Sequence, residues 1–75
     1  MARKVIDSTG GPGGLVLERA HVVRARTGLS NSNLYRCIAA GTFPAPVKIG
    51  IRASAWSADE VDRWIAERIA ARDSK

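Results

Sequence analysis

Cysteine and histidine occur once each, as Cys37 and His21, in a chain of 75 residues. One thiol excludes an intramolecular disulfide. One thiol and one imidazole fall short of the four ligands of an ordinary structural zinc site. The same scarcity argues against catalysis. There is no Ser-His-Asp set and no metal-ligand cluster, so the chain reads as no enzyme, with no cofactor and no small-molecule ligand. No apolar run approaches the roughly 18 residues of a membrane-spanning helix, so no membrane role is expected. The run MARKVIDSTGG carries positive charge but no apolar stretch of signal-peptide length. The default expectation is a soluble cytoplasmic protein.

The most telling scarcity is of acid. No Asp or Glu occurs between Arg19 and Ala58, a span holding Arg19, Arg24, Arg26, Arg36, Lys48 and Arg52. The formal charge is +5 and the pI about 10.4. That charge is uneven: residues 31–56 carry +3 and residues 57–75 carry −1. A central positive field suits nucleic acid or an anionic membrane, without choosing between them. The hydrophobic share of 45% is enough to fold one small domain. Its core is expected to be marginal at this length.

Residues 1–14 read as a flexible arm, because Ser8–Gly14 holds four glycines and a proline. The arm is either a disordered terminus or a DNA-touching extension through Arg3 and Lys4. Its glycines are no phosphate loop, since no Lys-Ser/Thr follows them. Residues 15–72 form the expected domain, and 73–75 are expected to fray. Leu15 to Leu17 suit a short strand leading in. A first helix is expected from about Arg19 to Thr27, with Ala20, Val23 and Thr27 on one face and Arg24 and Arg26 away from it. Gly28 stops it, and Leu29 plugs the space before a second helix.

Ser30 caps that second helix, expected over Asn31–Ala40 with Gly41 as its stop. Leu34 and Ile38 face the core, joined by Phe43. Pro44 and Pro46 make the next piece extended. Val47, Ile49 and Ile51 then alternate with Lys48, Gly50 and Arg52, the period of a strand with one apolar face. Gly50 suits the turn of a hairpin returning through Ala53–Trp56. Ser57-Ala58-Asp59-Glu60 is a capping box that also complements the helix dipole. Val61, Trp64, Ile65 and Ile69 supply the buried stripe of a last helix reaching about Arg72. The predicted fold is mainly α with a small β-hairpin: a winged helix-turn-helix.

The first turn of the second helix is where such a helix meets base edges. Asn31 and Asn33 carry amides that pair with adenine, and Ser32 both donates and accepts. Ser30 stands at the same end. Arg36, one turn on, suits guanine or a phosphate. Tyr35 has two readings, a packed ring or a hydroxyl on phosphate. Lys48 and Arg52 bracket the wing tip, and an Arg there suits a narrow minor groove. Arg24 and Arg26 suit the DNA backbone rather than the bases. His21 reads as a surface residue or a phosphate contact, and Cys37 as a small packing residue rather than a redox switch. Trp56 and Trp64 read as core bulk rather than platforms for single strands. The cluster Asp59, Glu60 and Asp62 is explained by a helix start.

The run TGLSNSNLYR, followed by GTFPAPVKIG, Arg52, Trp56 and DEVDRWI, resembles the AlpA-like and excisionase group of small proteins. That group is related to the MerR-type winged helix-turn-helix domain. The resemblance covers roughly Leu17 to Ile69. It departs from the pattern at Asn31 and Asn33, where Arg and Thr are common, which implies a different base preference. It departs again at Ile51, which is bulky for a wing tip. The resemblance implies double-stranded DNA as the partner and one of two roles. A phage excisionase, or recombination directionality factor, binds repeated sites cooperatively beside neighbouring copies of itself. It bends DNA and directs a partner integrase toward excision. The alternative is a prophage transcriptional regulator of AlpA type. The chain has no room for an effector domain, so a sensing regulator of the full MerR kind is not expected. Either role implies the cytoplasm of a bacterial host, at the nucleoid.

Overall fold

The computed structural model describes residues 15–74; the expectations for the arm, Arg3 and Lys4 included, and for Lys75 lie outside them. Gly28 ends the first helix, α1 (Ala20–Thr27), as expected: it sits at φ 77° and its N–H bonds the Arg24 carbonyl. An L-residue with a Cβ is strained in that left-handed conformation, and glycine is not. Thr27 Oγ1 tightens the corner by donating to the Val23 carbonyl at 2.9 Å and accepting from the Leu29 N–H at 3.3 Å. Three residues later α2 (Asn31–Ala40) begins, with Ser30 Oγ accepting from the Asn33 N–H at 3.1 Å. Gly41, at φ 80°, closes α2. These are the two helices and short turn of a helix-turn-helix.

After the proline segment come β2 (Val47–Gly50) and β3 (Ala53–Ser57), antiparallel neighbours that form the wing. A two-residue strand, β1 (Leu17–Glu18), pairs with the other edge of β3, so the sheet has three strands in the order β1-β3-β2. The last helix, α3 (Ala58–Asp73), follows β3 directly. Ser57 caps it by accepting from the Glu60 N–H at 3.3 Å. The architecture is the winged helix-turn-helix read from the sequence.

The three helices, the α2–β2 loop and β3 each send a side chain to one core: Val23 from α1, Leu34 from α2, Phe43 from the loop, Trp56 from β3 and Val61 from α3. Leu29, Cys37, Ile38, Trp64 and Ile65 pack around them, partly buried. Both tryptophans also fasten the α2–β2 loop by hydrogen bonds. Trp56 Nε1 donates to the Pro44 carbonyl at 3.1 Å and Trp64 Nε1 to the Thr42 carbonyl at 2.7 Å. Phe43 meets Trp64 edge-on at 5.0 Å.

The structure departs from the sequence reading in four places. The wing turn is Ile51-Arg52, not Gly50, which pairs with Ala53 at the end of β2 and lies outside the left-handed region. The expected apolar face of β2 is not buried: Val47 and Ile49 stay about half exposed, and the register slips between Lys48 and Gly50. Among the described residues no layer covers that face, and alternation records a preference for burial without supplying the partner. Ile69 is 48% exposed, because α3 runs past the body of the fold after Ile65. Its helix also continues through Asp73, with the Ser74 N–H on the Ala70 carbonyl at 2.9 Å, where fraying was expected.

Candidate nucleic-acid interface

Ser30 caps α2 with one hydroxyl and no acidic residue stands in its first turn. The positive end of the helix dipole therefore meets no carboxylate of its own, which suits an approaching anion. Asn31, Ser32 and Asn33 are exposed around that end. Arg24 reaches across from α1 and donates to Asn31 Oδ1 at 3.3 Å. Arg36, one turn along α2, donates to Asn33 Oδ1 at 2.9 Å. Each carbonyl oxygen thus faces an arginine, and each amide NH2 is left to donate outward. The two asparagines form two Asn–Arg couples on one exposed helix start.

Beside them runs a groove of about 480 Å³ between α1, α2 and the wing. Arg24, Tyr35 and Arg52 line it, three residues singled out from the sequence. They are joined by Arg19 and His21 from the start of α1, with Ser54 and Trp56 as the floor. Among the described residues no carboxylate lines this groove. The Tyr35 ring packs edge-on to Trp56 at 6.2 Å, as one of its two readings expects, and the residue stays 46% exposed. Lys48 sits across the wing turn from the groove's Arg52, its Nζ donating to the Ile51 carbonyl at 3.3 Å.

Arg19 is the residue that sequence reasoning missed, treating it only as a helix start. Its place in the acid-free span was the available signal. What hid it was non-local: β3 brings Arg52 back beside α1 only once the sheet forms. Arg26 goes the other way. Its Nη2 lies 2.6 Å from Asp62 Oδ1 of α3 and its Nε 3.3 Å from Glu18 Oε1 of β1. The Glu18 oxygen is buried and lacks hydrogen-bond geometry, so Arg26 serves it as a neighbouring charge rather than a donor. Arg26 ties β1, α1 and α3 together and stands apart from the groove.

Two arginines of α3 pair within the helix, while its Asp62 is held by Arg26 of α1. Arg63 bonds Asp59 one turn back, and that hydrogen bond and charge raise its pKa further above its ordinary value. Arg72 pairs with Asp73, and Arg68 lies over the Trp64 ring at 5.8 Å. Trp56 is buried in the core, and Trp64 packs on Phe43 and carries Arg68 over its ring, as their reading as core bulk expects. Cys37 is a partly buried thiol packed against the core. Among the described residues no His, Cys, Asp or Glu cluster fits a metal ion, and no helix is long and apolar enough to cross a membrane.

Comparison with known proteins gives two matches to this chain. An uncharacterized protein, ORF88 of Enterobacteria phage P4, is 47% identical over 45 residues, 60% of this chain and 51% of that protein. The chain therefore spans about half the length of the curated relative it matches. The family model described as prophage CP4-57 regulatory protein (AlpA) matches residues 16–69, from the approach to β1 to the exposed end of α3. On that match, which takes in more than half of its residues, the chain belongs to the AlpA family of phage regulatory proteins.

Proposed function

We propose that this chain is a sequence-specific, double-stranded-DNA-binding regulatory protein. One observation carries the reading: Arg19, Arg24 and Arg52 converge with Tyr35 in a groove that no carboxylate lines among the described residues, next to the exposed first turn of α2. A major groove about 12 Å wide admits one α-helix. In this reading α2 enters it by its N-terminal end. Ser30, Ser32 and the amides of Asn31 and Asn33 meet base edges there, and Arg36 meets a guanine or a phosphate. Arg19, Arg24 and Tyr35 hold the backbone, while Lys48 and Arg52 carry the wing into the adjacent minor groove. Arg26, paired with Asp62 and Glu18, contributes to the fold instead.

Two roles use such a surface. In the first, the chain is an excisionase-like architectural protein that bends DNA, binds beside copies of itself and directs an integrase. The apolar side chains left exposed on β1 and β2 support it, because neighbouring copies need a surface to meet. In the second, it is a transcriptional regulator, which the family's description as a regulatory protein favours.

Selection of duplexes from a random pool by the wild-type protein tests the DNA reading. It predicts a recurrent motif whose binding falls steeply with salt; no duplex affinity at low salt overturns it. An excision assay with integrase, run beside a promoter-reporter assay on the selected site, separates the two roles.

A further inference from the structure

Ile51 occupies a position where the folded state has no use for it. It stands in the two-residue turn between paired Gly50 and Ala53, and 93% of its surface is exposed. Such turns favour Gly, Asn, Asp or Ser, whose backbones or short polar side chains suit the bend. A β-branched apolar residue there breaks the local rule and gains no burial in return. Local rules broken without a compensating contact are expected at functional positions. The immediate surroundings are cationic: Arg52 follows in the chain, and Lys48 reaches over to bond the Ile51 carbonyl. Arg52 also lines the groove beside α2, so the wing tip continues the candidate interface.

From these observations we infer that Ile51 is an apolar wedge that enters the DNA minor groove and partly unstacks one base step. The inference rests on the duplex-DNA reading above and specifies how the wing acts on that DNA. The minor groove is about 6 Å wide, and the two strands of a hairpin lie about 4.8 Å apart. Lys48 and Arg52 neutralise the phosphates on either side, and Ile51 goes between the bases. Inserted apolar side chains of this kind kink a duplex by roughly 20–90° toward the major groove. Unstacking is easiest at TA and CA/TG steps, so the wing selects a flexible step without hydrogen-bonding to it. A protein partner is the less favoured occupant of this tip, because the same turn presents two cations and the span from Arg19 to Ala58 offers no acid.

The probe is a duplex selected from a random pool by the wild-type protein. Bend is read by phased electrophoresis, and unstacking by permanganate reactivity of thymines. Wild type is expected to bend the duplex and expose thymines at a single step. Ile51→Ala is expected to lose that reactivity and at least about 20° of bend, while keeping the footprint of α2. Ile51→Leu is expected to retain both. Since Ile51 is almost wholly exposed, circular dichroism should show both variants folded as wild type. Equal bend and reactivity in wild type and Ile51→Ala overturns the wedge and leaves the DNA reading standing. An unchanged bend with loss of cooperative binding to paired sites also overturns it, and assigns Ile51 to a neighbouring copy. Failure of wild type to bind any duplex removes the DNA reading and the wedge together.

Discussion

The start of α2 and the start of α3 are built alike and charged oppositely. Both are capped by a serine whose hydroxyl accepts from the third residue's N–H. In α3 the next residues include Asp59 and Glu60, and its arginines find partners on the same helix, as Arg63–Asp59 and Arg72–Asp73 show. In α2 no acid follows the cap, and the arginines nearby bond only neutral asparagine oxygens. An ion pair between exposed groups contributes little to stability, but it removes a cation from the pool that meets a polyanion. The difference teaches that +5 is the wrong quantity to read. What matters is where cations without an acid partner gather, and among the described residues Arg19, Arg24 and Arg52 gather in one groove.

The largest expected effect breaks that side. Replacing Arg19, Arg24 and Arg52 together with alanine should flatten the salt dependence of DNA binding by about three units of slope. Affinity near physiological salt should fall by about two orders of magnitude by the same relation. Replacing Arg63, Arg68 and Arg72 should leave the slope nearly unchanged. Titrations on a selected duplex at several salt concentrations measure both; equal slopes for the two triple variants would refute the division. A finer cut follows. Asn33→Ala should cost about 1–3 kcal/mol of discrimination at one base position, with little change in slope. A uniform loss on every sequence would instead make Asn33 a positioning residue.

Much of this fold was legible in the chain because its signals are local. Gly28 and Gly41, the Ser30 and Ser57 caps and the prolines at 44 and 46 each state a stop or a start within a few residues. Leu34 and Val61 follow from helical period. Two misreadings are local, the wing turn at Ile51-Arg52 and the helical end at Asp73, and the others concern what lies across the fold. Alternation in Val47-Lys48-Ile49 proposes a buried face, yet no element packs over it. Ile69 continues a helical stripe beyond the body it packs against. At the candidate site, Asn31, Asn33 and Arg36 were visible as one helix turn. Arg19 joins Arg52 only through the pairing of β3 with both β1 and β2, and Arg26 leaves the set only because Glu18 and Asp62 converge on it.

Arg26 sharpens the comparison from the middle of the scale. It lies in the acid-free span, yet among the described residues it is the one arginine there with carboxylates from two other elements. Arg26→Ala strands the buried Glu18 oxygen without its neighbouring charge. The pair is only partly buried, so solvent screening limits the cost to about 1–2 kcal/mol of stability. The salt slope of DNA binding should not change. Urea unfolding and the same titrations read the two quantities; a change in slope with no change in stability would return Arg26 to the interface. Replacing Glu18 with glutamine should relieve most of the loss, since a neutral amide there needs no counter-charge.

The smallest effect compares the two caps directly. Ser30→Ala and Ser57→Ala each remove one hydrogen bond from a helix start, a loss of about 0.5–2 kcal/mol. In α3 the Asp59 and Glu60 carboxylates remain to balance the dipole, each contributing about 0.3–1 kcal/mol. In α2 nothing of the kind remains. Ser30→Ala should therefore destabilise the free protein more than Ser57→Ala does, by a few tenths of a kcal/mol. Bound DNA supplies the missing anion, so the difference should shrink when unfolding is followed with the selected duplex present. If the two variants cost the same with and without DNA, no phosphate sits at the start of α2. The exposed amides of Asn31 and Asn33 would then have to be reached by bases from another direction.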